Sequence, residues 1–176
     1  MSGASPLPDI VRPGLRVIFV GINPGLRSAA IGHHFAGHSN RFWKLLYESR
    51  LVPEPINCEQ DARLPEWGYG MTNLIRRPTA GIDALRTEEY AAGLRDLRRK
   101  VAVYRPEILA LVGVTIHRKL FPSPPSGRKR RLRLGPRRET IDGARLFLLP
   151  NPSGRNATLS YDAMLRAFHS LKRALD

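Results

Sequence analysis

A chain of 176 residues, 42% apolar and 25% charged, is long enough for one domain with its own core and ordinary in composition for a globular protein. Its 29 Lys and Arg against 15 Asp and Glu give a formal balance of +14, which favours a polyanionic partner, nucleic acid foremost. The single cysteine, Cys58, excludes an internal disulfide and any zinc or iron–sulfur site built on several thiolates, and no apolar run reaches the roughly 18–20 residues of a membrane span.

Residues 1–13 are small, polar and proline-rich, with no basic segment leading into an apolar stretch. They read as a flexible N-terminal arm rather than a signal peptide, and the expected location is cytoplasmic, or nucleoid-associated in a bacterium. Residues 14–176 read as one domain. Residues 16–20 (RVIFV) are β-branched and aromatic and run into glycine, which predicts a buried strand feeding a tight loop. Residues 40–49 have apolar positions at helical spacing, with Asn40 as cap. Residues 51–66, broken by Pro53, Pro55 and Pro65, read as a loop with a short helical piece. A second strand is expected over 69–75 and a long helix over 87–104, capped by Thr87 with Glu88 and Glu89 in its first turn. A third strand follows over 107–112, then a helix over 115–121.

Residues 122–138 form a basic insertion whose second part, 128–138, holds seven basic residues in eleven positions. Seven charges suit phosphate contacts and predict salt-sensitive binding. Residues 139–149 read as a hairpin turned at Asp142-Gly143, and 158–175 as a final amphipathic helix. The alternation predicts an α/β fold, a three-layer α/β/α sandwich around a mostly parallel central sheet.

In such sheets ligands gather at the C-terminal ends of the strands. Three loops fall there: residues 21–25 (GINPG), Asn73 with 76–79 (RRPT), and residues 150–156 (PNPSGRN). The Gly-x-Gly-x-x-Gly and Gly-Lys-Ser/Thr phosphate fingerprints are missing, which counts against a nucleotide cofactor. His33, His34 and His38 form a local cluster, but no carboxylate lies among them and Cys58 is remote, so no metal is expected.

The residues GINPGL from Gly21, GHHF from Gly32, NRFWK from Asn40, GMTNL from Gly70, RPT from Arg77 and NPSG from Asn151 together resemble the mismatch-specific uracil-DNA glycosylase / thymine-DNA glycosylase family. The likeness runs from about Leu15 to the C-terminus and implies the uracil-DNA glycosylase-like fold. It implies an enzyme without cofactor or metal that flips a base from double-stranded DNA carrying a mismatched or damaged base. It then cleaves the N-glycosidic bond by hydrolysis, excising uracil or related pyrimidines from G·U mismatches. A monofunctional enzyme needs no Schiff-base lysine, and Lys44 is expected on a helix surface or at a phosphate.

The resemblance assigns Asn23 to water positioning and Phe35 to stacking on the flipped base. Ile22, Ser28, Asn73 and Asn151 are implied as base-binding, with the backbone N–H groups of Ile22 and Phe35 facing base oxygens. Ser153, Gly154, Arg155 and Asn156 are implied as the DNA wedge and backbone contacts. Many efficient relatives carry aspartate and histidine where this chain has Asn23 and Asn151. An amide cannot deprotonate water strongly, which makes Asp83 the candidate helper carboxylate. The competing function is a non-catalytic basic DNA- or RNA-binding module, which charge alone would support equally. A monomer is expected.

Overall fold

The structure, a computed structural model, describes residues 7–127 and 131–176. Five strands build one sheet: β1 (Val17–Gly21), β2 (Tyr69–Asn73), β3 (Ile108–Val112), β4 (Gly135–Ile141) and β5 (Ala144–Leu149). The order across the sheet is β2-β1-β3-β5-β4, and every pairing is parallel except β4 against β5. Parallel strands need both faces covered, which is why β1 and β3 are buried at every position and read in sequence as unbroken apolar runs.

Alternate residues of β1 enter different cores. Val17 and Phe19 join a cluster with Phe42, Leu45 and Leu46 of α2 (Phe42–Glu48) and Phe168 and Leu171 of α5 (Tyr161–Leu175). Ile18 and Val20 join Tyr90, Leu97 and Val101 of α3 (Thr87–Tyr104) and Ile116 of α4 (Val114–Leu120) on the other face. The period-two geometry of one strand thus divides the molecule into three layers, the α/β/α sandwich expected from the sequence. Among the described residues no helix is long and apolar enough to cross a membrane.

Several local expectations change. Thr87 is the first helical residue of α3, not its cap; the cap position is Arg86, whose N–H donates to Glu89 Oε2 at 2.8 Å. Asn40 sits one residue before the cap of α2 and accepts from the Phe42 N–H. The proline-broken stretch holds a 3-10 segment, Cys58–Trp67, started by Asn57, whose Oδ1 accepts from the Glu59 N–H while its own N–H donates to Gln60 Oε1. A short α1 (Leu26–Ile31) has no side-chain cap and left no pattern in the sequence. The hairpin turn falls at Asp142-Gly143 as expected, both at positive φ. However, its first arm starts at Gly135, so residues 135–138 of the basic insertion belong to β4 rather than to a loop.

The N-terminal arm needs the largest correction. Residues 1–6 lie outside the described residues, as do Arg128 to Arg130 of the basic run. Residues 7–13 do not hang free. Leu7 is buried, and Ile10 pairs with Met71 in an antiparallel bridge. Gly70 makes room for it, since a Cβ there would stand 2.5 Å from the Ile10 carbonyl oxygen. Asp9 completes the attachment. Its carboxylate accepts from Thr72 Oγ1 at 2.7 Å and meets Lys100 Nζ at 2.7 Å, while Lys100 also reaches Thr72 Oγ1 and Asp96 at 2.9 Å each.

Candidate active site

Because β1, β2, β3 and β5 run parallel, their C-terminal ends share one edge, and the three predicted loops converge there. They enclose a cleft of about 250 Å3. Ile22, Asn23, Ser28, Phe35, Asn73, Asn151 and Ser153 all line it, so seven predicted site residues from three separated motifs come together. Leu7 and His34 line it too, which makes the N-terminal segment part of the wall.

Asn23 is held by its nitrogen. Nδ2 donates to the Arg77 carbonyl at 2.9 Å and to Thr79 Oγ1 at 2.8 Å, and Thr79 passes its own proton to the Gly81 carbonyl at 2.8 Å. A carbonyl can only accept, so the amide has one possible orientation. Both N–H groups are used, which leaves Oδ1 as the free acceptor of a residue that lines the cleft. Thr79 stood in a motif singled out by sequence, yet its role as the partner of Asn23 has no local signal. The Arg77 side chain fixes its own loop by a bidentate pair with Glu89 at 2.8 and 2.9 Å. The Arg77 guanidinium, with the Arg86 N–H next, holds the Glu89 carboxyl down at about 2. The pair therefore stays charged through the neutral range.

Phe35 is a rigid plate. Its ring stacks on Phe42 with centroids 4.3 Å apart and planes at 21°. Its backbone sits at φ 50, a left-handed conformation rare for a bulky residue, so the neighbouring peptides must hold it. They do. Ser28 Oγ accepts from the Ala36 N–H and Arg27 donates to the Ala36 carbonyl. Trp43 Nε1 donates to the His34 carbonyl, and Asp61 accepts from the His34 N–H. Ser28, expected beside the pyrimidine, lines the cleft, and its hydroxyl serves the Phe35 turn. The Ile22 and Phe35 N–H groups have no backbone partner among the described residues and stay available to a ligand.

Gly21 lacks a side chain for a geometric reason. A Cβ there would lie 2.6 Å from Asn73 Oδ1 and 3.8 Å from the Phe35 ring, so the Asn73 amide crosses over this glycine into the cleft.

Asp61 is the residue that sequence reading missed. Contrary to expectation, the paired histidines do have a carboxylate, delivered by the 3-10 segment: Asp61 Oδ1 lies 3.1 Å from His33 Nδ1. No group of three or more metal-capable side chains occurs among the described residues. His34 Nε2 lies 2.8 Å from the Pro8 carbonyl and must carry the proton. Burial lowers the His34 pKa below 6.5, outweighing the opposing pull of the Pro8 carbonyl and of Asp61. A depressed histidine stabilises the fold fully above its unfolded pKa and less as pH falls through the folded one. Thermal stability should therefore decline on acidification from pH 7 to below 6, and His34→Gln should flatten that decline. An unchanged slope in the variant would mean that His34 is not the titrating group.

Asp83 does not join the site. It is exposed in a 3-10 turn, Ile82–Ala84, whose Ile82 lines the cleft while Asp83 does not. No carboxylate lines the cleft at all among the described residues. Lys44 lies elsewhere, 4.7 Å over the Tyr161 ring and paired with Glu48.

The third loop is tied to the rest through its backbone. Arg41 donates from its main chain to the Pro152 carbonyl at 3.0 Å and from its guanidinium to the Ser153 carbonyl at 2.9 Å. Asn151 accepts from the Ser153 N–H, Ser153 Oγ from the Arg155 N–H, and Asn156 Nδ2 returns to the Asn151 carbonyl at 2.9 Å. Gly154 and Arg155 project at the exposed crest. A Cβ on Gly154 would stand 2.4 Å from Ser39 Cβ, so Gly154→Ala must lift the crest. Excision from duplex DNA should fall about tenfold to a hundredfold from such a displacement, with little change in Tm. Wild-type duplex activity in that variant would remove the loop from the binding step.

The sequence matches the Uracil DNA glycosylase superfamily over residues 8–172. A similar fold occurs in the solution NMR structure of a putative uracil DNA glycosylase from Methanosarcina acetivorans. The TM-score is 0.58 at 16% identity, with 96% of this chain and 98% of that chain covered. A cleft at the parallel strand ends, walled by the 21–25 and 151–156 loops, thus sits within a match spanning nearly the whole sequence, and the chain belongs to the Uracil DNA glycosylase superfamily.

Proposed function

We propose that this protein is a monofunctional glycosylase that excises uracil opposite guanine from double-stranded DNA by hydrolysis, leaving an abasic site. The observation that carries this reading is the Asn23 amide: both N–H groups are bound, which leaves Oδ1 as its free acceptor, and Asn23 lines a cleft that no carboxylate among the described residues lines. A flipped pyrimidine would lie against the Phe35 ring, with its edge at the Asn73 amide and its oxygens at the Ile22 and Phe35 N–H groups. Those fixed donors favour the negative charge that the base gathers as the glycosidic bond lengthens. Asn23 Oδ1 accepts one hydrogen bond from a water and directs its oxygen at the sugar carbon, which acquires oxocarbenium character. The C1′–N bond breaks with its electron pair leaving on the uracil anion, and once the C–O bond has formed the water's extra proton passes to solvent.

An amide orients water without deprotonating it. The reaction must therefore depend on base departure, and a good leaving group such as uracil suits it better than an ordinary base. Residues Ser153 to Asn156 would fill the gap in the stack and meet the orphaned guanine, at the energetic cost of unstacking.

The test is direct. Labelled duplexes with one G·U, A·U or G·T pair, and single-stranded uracil, are incubated with the protein and abasic sites are cleaved by alkali. G·U is expected to give the fastest product, and the remaining arms read the lesion range. No product on any substrate would leave the non-catalytic nucleic-acid-binding reading in its place.

A further inference from the structure

Beside the 151–156 loop lies a second, larger concavity of about 1040 Å3. α4 contributes Arg118, and the segment entering β4 contributes Arg131 and Arg133, all three exposed. Its floor is apolar, formed by the half-buried Leu132, Leu134 and Leu159. No carboxylate lines it among the described residues. Asn151 lines both this groove and the base cleft, so the two form one continuous surface.

The arginines are placed on a firm edge. Leu134 packs against both cores. Two residues into β4, Arg137 and Glu139 sit on one face of the strand, and Glu139 Oε1 lies 3.0 Å from Nε2 of the buried His117 on α4. Charges on an edge strand often serve only to block strand addition. That explanation suffices for Arg137 and Arg138, which are on the edge strand β4. It does not reach Arg131 and Arg133, which precede the strand, or Arg118, which is on a helix.

We propose that this groove holds the sugar–phosphate backbone of one arm of the DNA duplex, on one side of the flipped base, so that the binding footprint is asymmetric. The proposal rests on the glycosylase reading for the position of the base. The guanidinium groups meet phosphates, and the leucine floor accepts the deoxyribose faces between them. Each phosphate neutralised adds about 0.9 to the slope of log affinity against log salt, so three contacts account for a slope of roughly 2.7.

The experiment uses the full chain and duplexes carrying a non-cleavable 2′-fluoro-deoxyuridine opposite guanine, with long arms on both sides or with one arm cut to a few base pairs. Affinity is measured by fluorescence anisotropy across a salt series. The wild-type protein should lose affinity when one particular arm is shortened and little when the other is. The triple variant Arg118→Gln, Arg131→Gln, Arg133→Gln should bind the long duplex about tenfold or more weakly with a shallower salt slope. It should be indifferent to which arm is short. A charge-matched control, Arg95→Gln, Arg98→Gln, Arg173→Gln, changes exposed arginines outside both cavities and should keep the wild-type asymmetry. Equal sensitivity to both arms in the wild-type protein, or an unchanged slope in the groove variant, overturns the proposal. Binding is read apart from excision, so a protein that binds asymmetrically but releases no uracil would sink the glycosylase reading instead.

Discussion

Replacing Asn23 with alanine is expected to slow single-turnover excision from a G·U duplex by about 10²–10³-fold, the usual scale for losing a positioned polar group at a reacting centre. DNA affinity should change by less than about threefold, because Asn23 lies in the cleft and not on the exposed loop crest. Thr79→Val tests the same geometry from behind. It removes the oxygen that Asn23 Nδ2 reaches at 2.8 Å, leaving one N–H unpaired and the amide freer to turn. A loss near 1 kcal/mol, roughly fivefold to tenfold in rate, is expected. Aspartate is not an improvement at this position: it would set a carboxylate oxygen against the Arg77 carbonyl, with no proton between them. Asp83→Ala should leave the rate unchanged, since its side chain does not line the cleft. If Asn23→Ala retained activity within twofold while Asp83→Ala lost it, the water would be held by a group other than the amide.

The second large effect is on stability. Lys100 is buried and its Nζ serves Asp9, Asp96 and Thr72 at once. Lys100→Met keeps the volume, leaves the Asp9 carboxylate without its cation and leaves Asp96 with Arg99 alone. Breaking a fully buried pair costs about 3–5 kcal/mol. Here the Asp9 and Asp96 side chains retain 19% and 23% exposure, so water recovers part of the loss. About 2 kcal/mol is the expected cost, a fall in Tm of roughly 4–8 °C for a chain of this size. The local consequence matters more for the site. Asp9 is the charged anchor of residues 7–10, and its release should let Leu7 leave the cleft wall. Limited proteolysis near the N-terminus should therefore accelerate well below the new Tm. A variant that kept its Tm and its protease resistance would show that the uncharged contacts, the Ile10–Met71 bridge and the His34–Pro8 hydrogen bond, suffice to hold the segment.

The central strands were legible because a parallel sheet buries both faces. RVIFV and EILALV carry the pattern without help from distant residues. α3 was legible to both ends through its length and acidic first turn. α1 was not, since six residues without a side-chain cap leave no periodicity to read. Asp61 was invisible for a different reason. It lies 27 residues from His34 in the chain, and only the packing of the 3-10 segment brings it there. The reverse holds for Asp83, close to the RPT motif in sequence but exposed and off the cleft wall.

The sequence by itself determined the α/β architecture, the three loops at the strand ends, the glycine-bounded turn holding Asn23, and the excess of positive charge. These are local properties: periodicity, turn chemistry and composition. Tertiary structure alone decided which atom of Asn23 is bound and which is left free, that Leu7 walls the cleft, that Asp61 braces the histidine pair, and that no carboxylate among the described residues lines it. Those depend on hydrogen bonds and ion pairs spanning 27 to 91 residues of chain, whose partners no local pattern specifies.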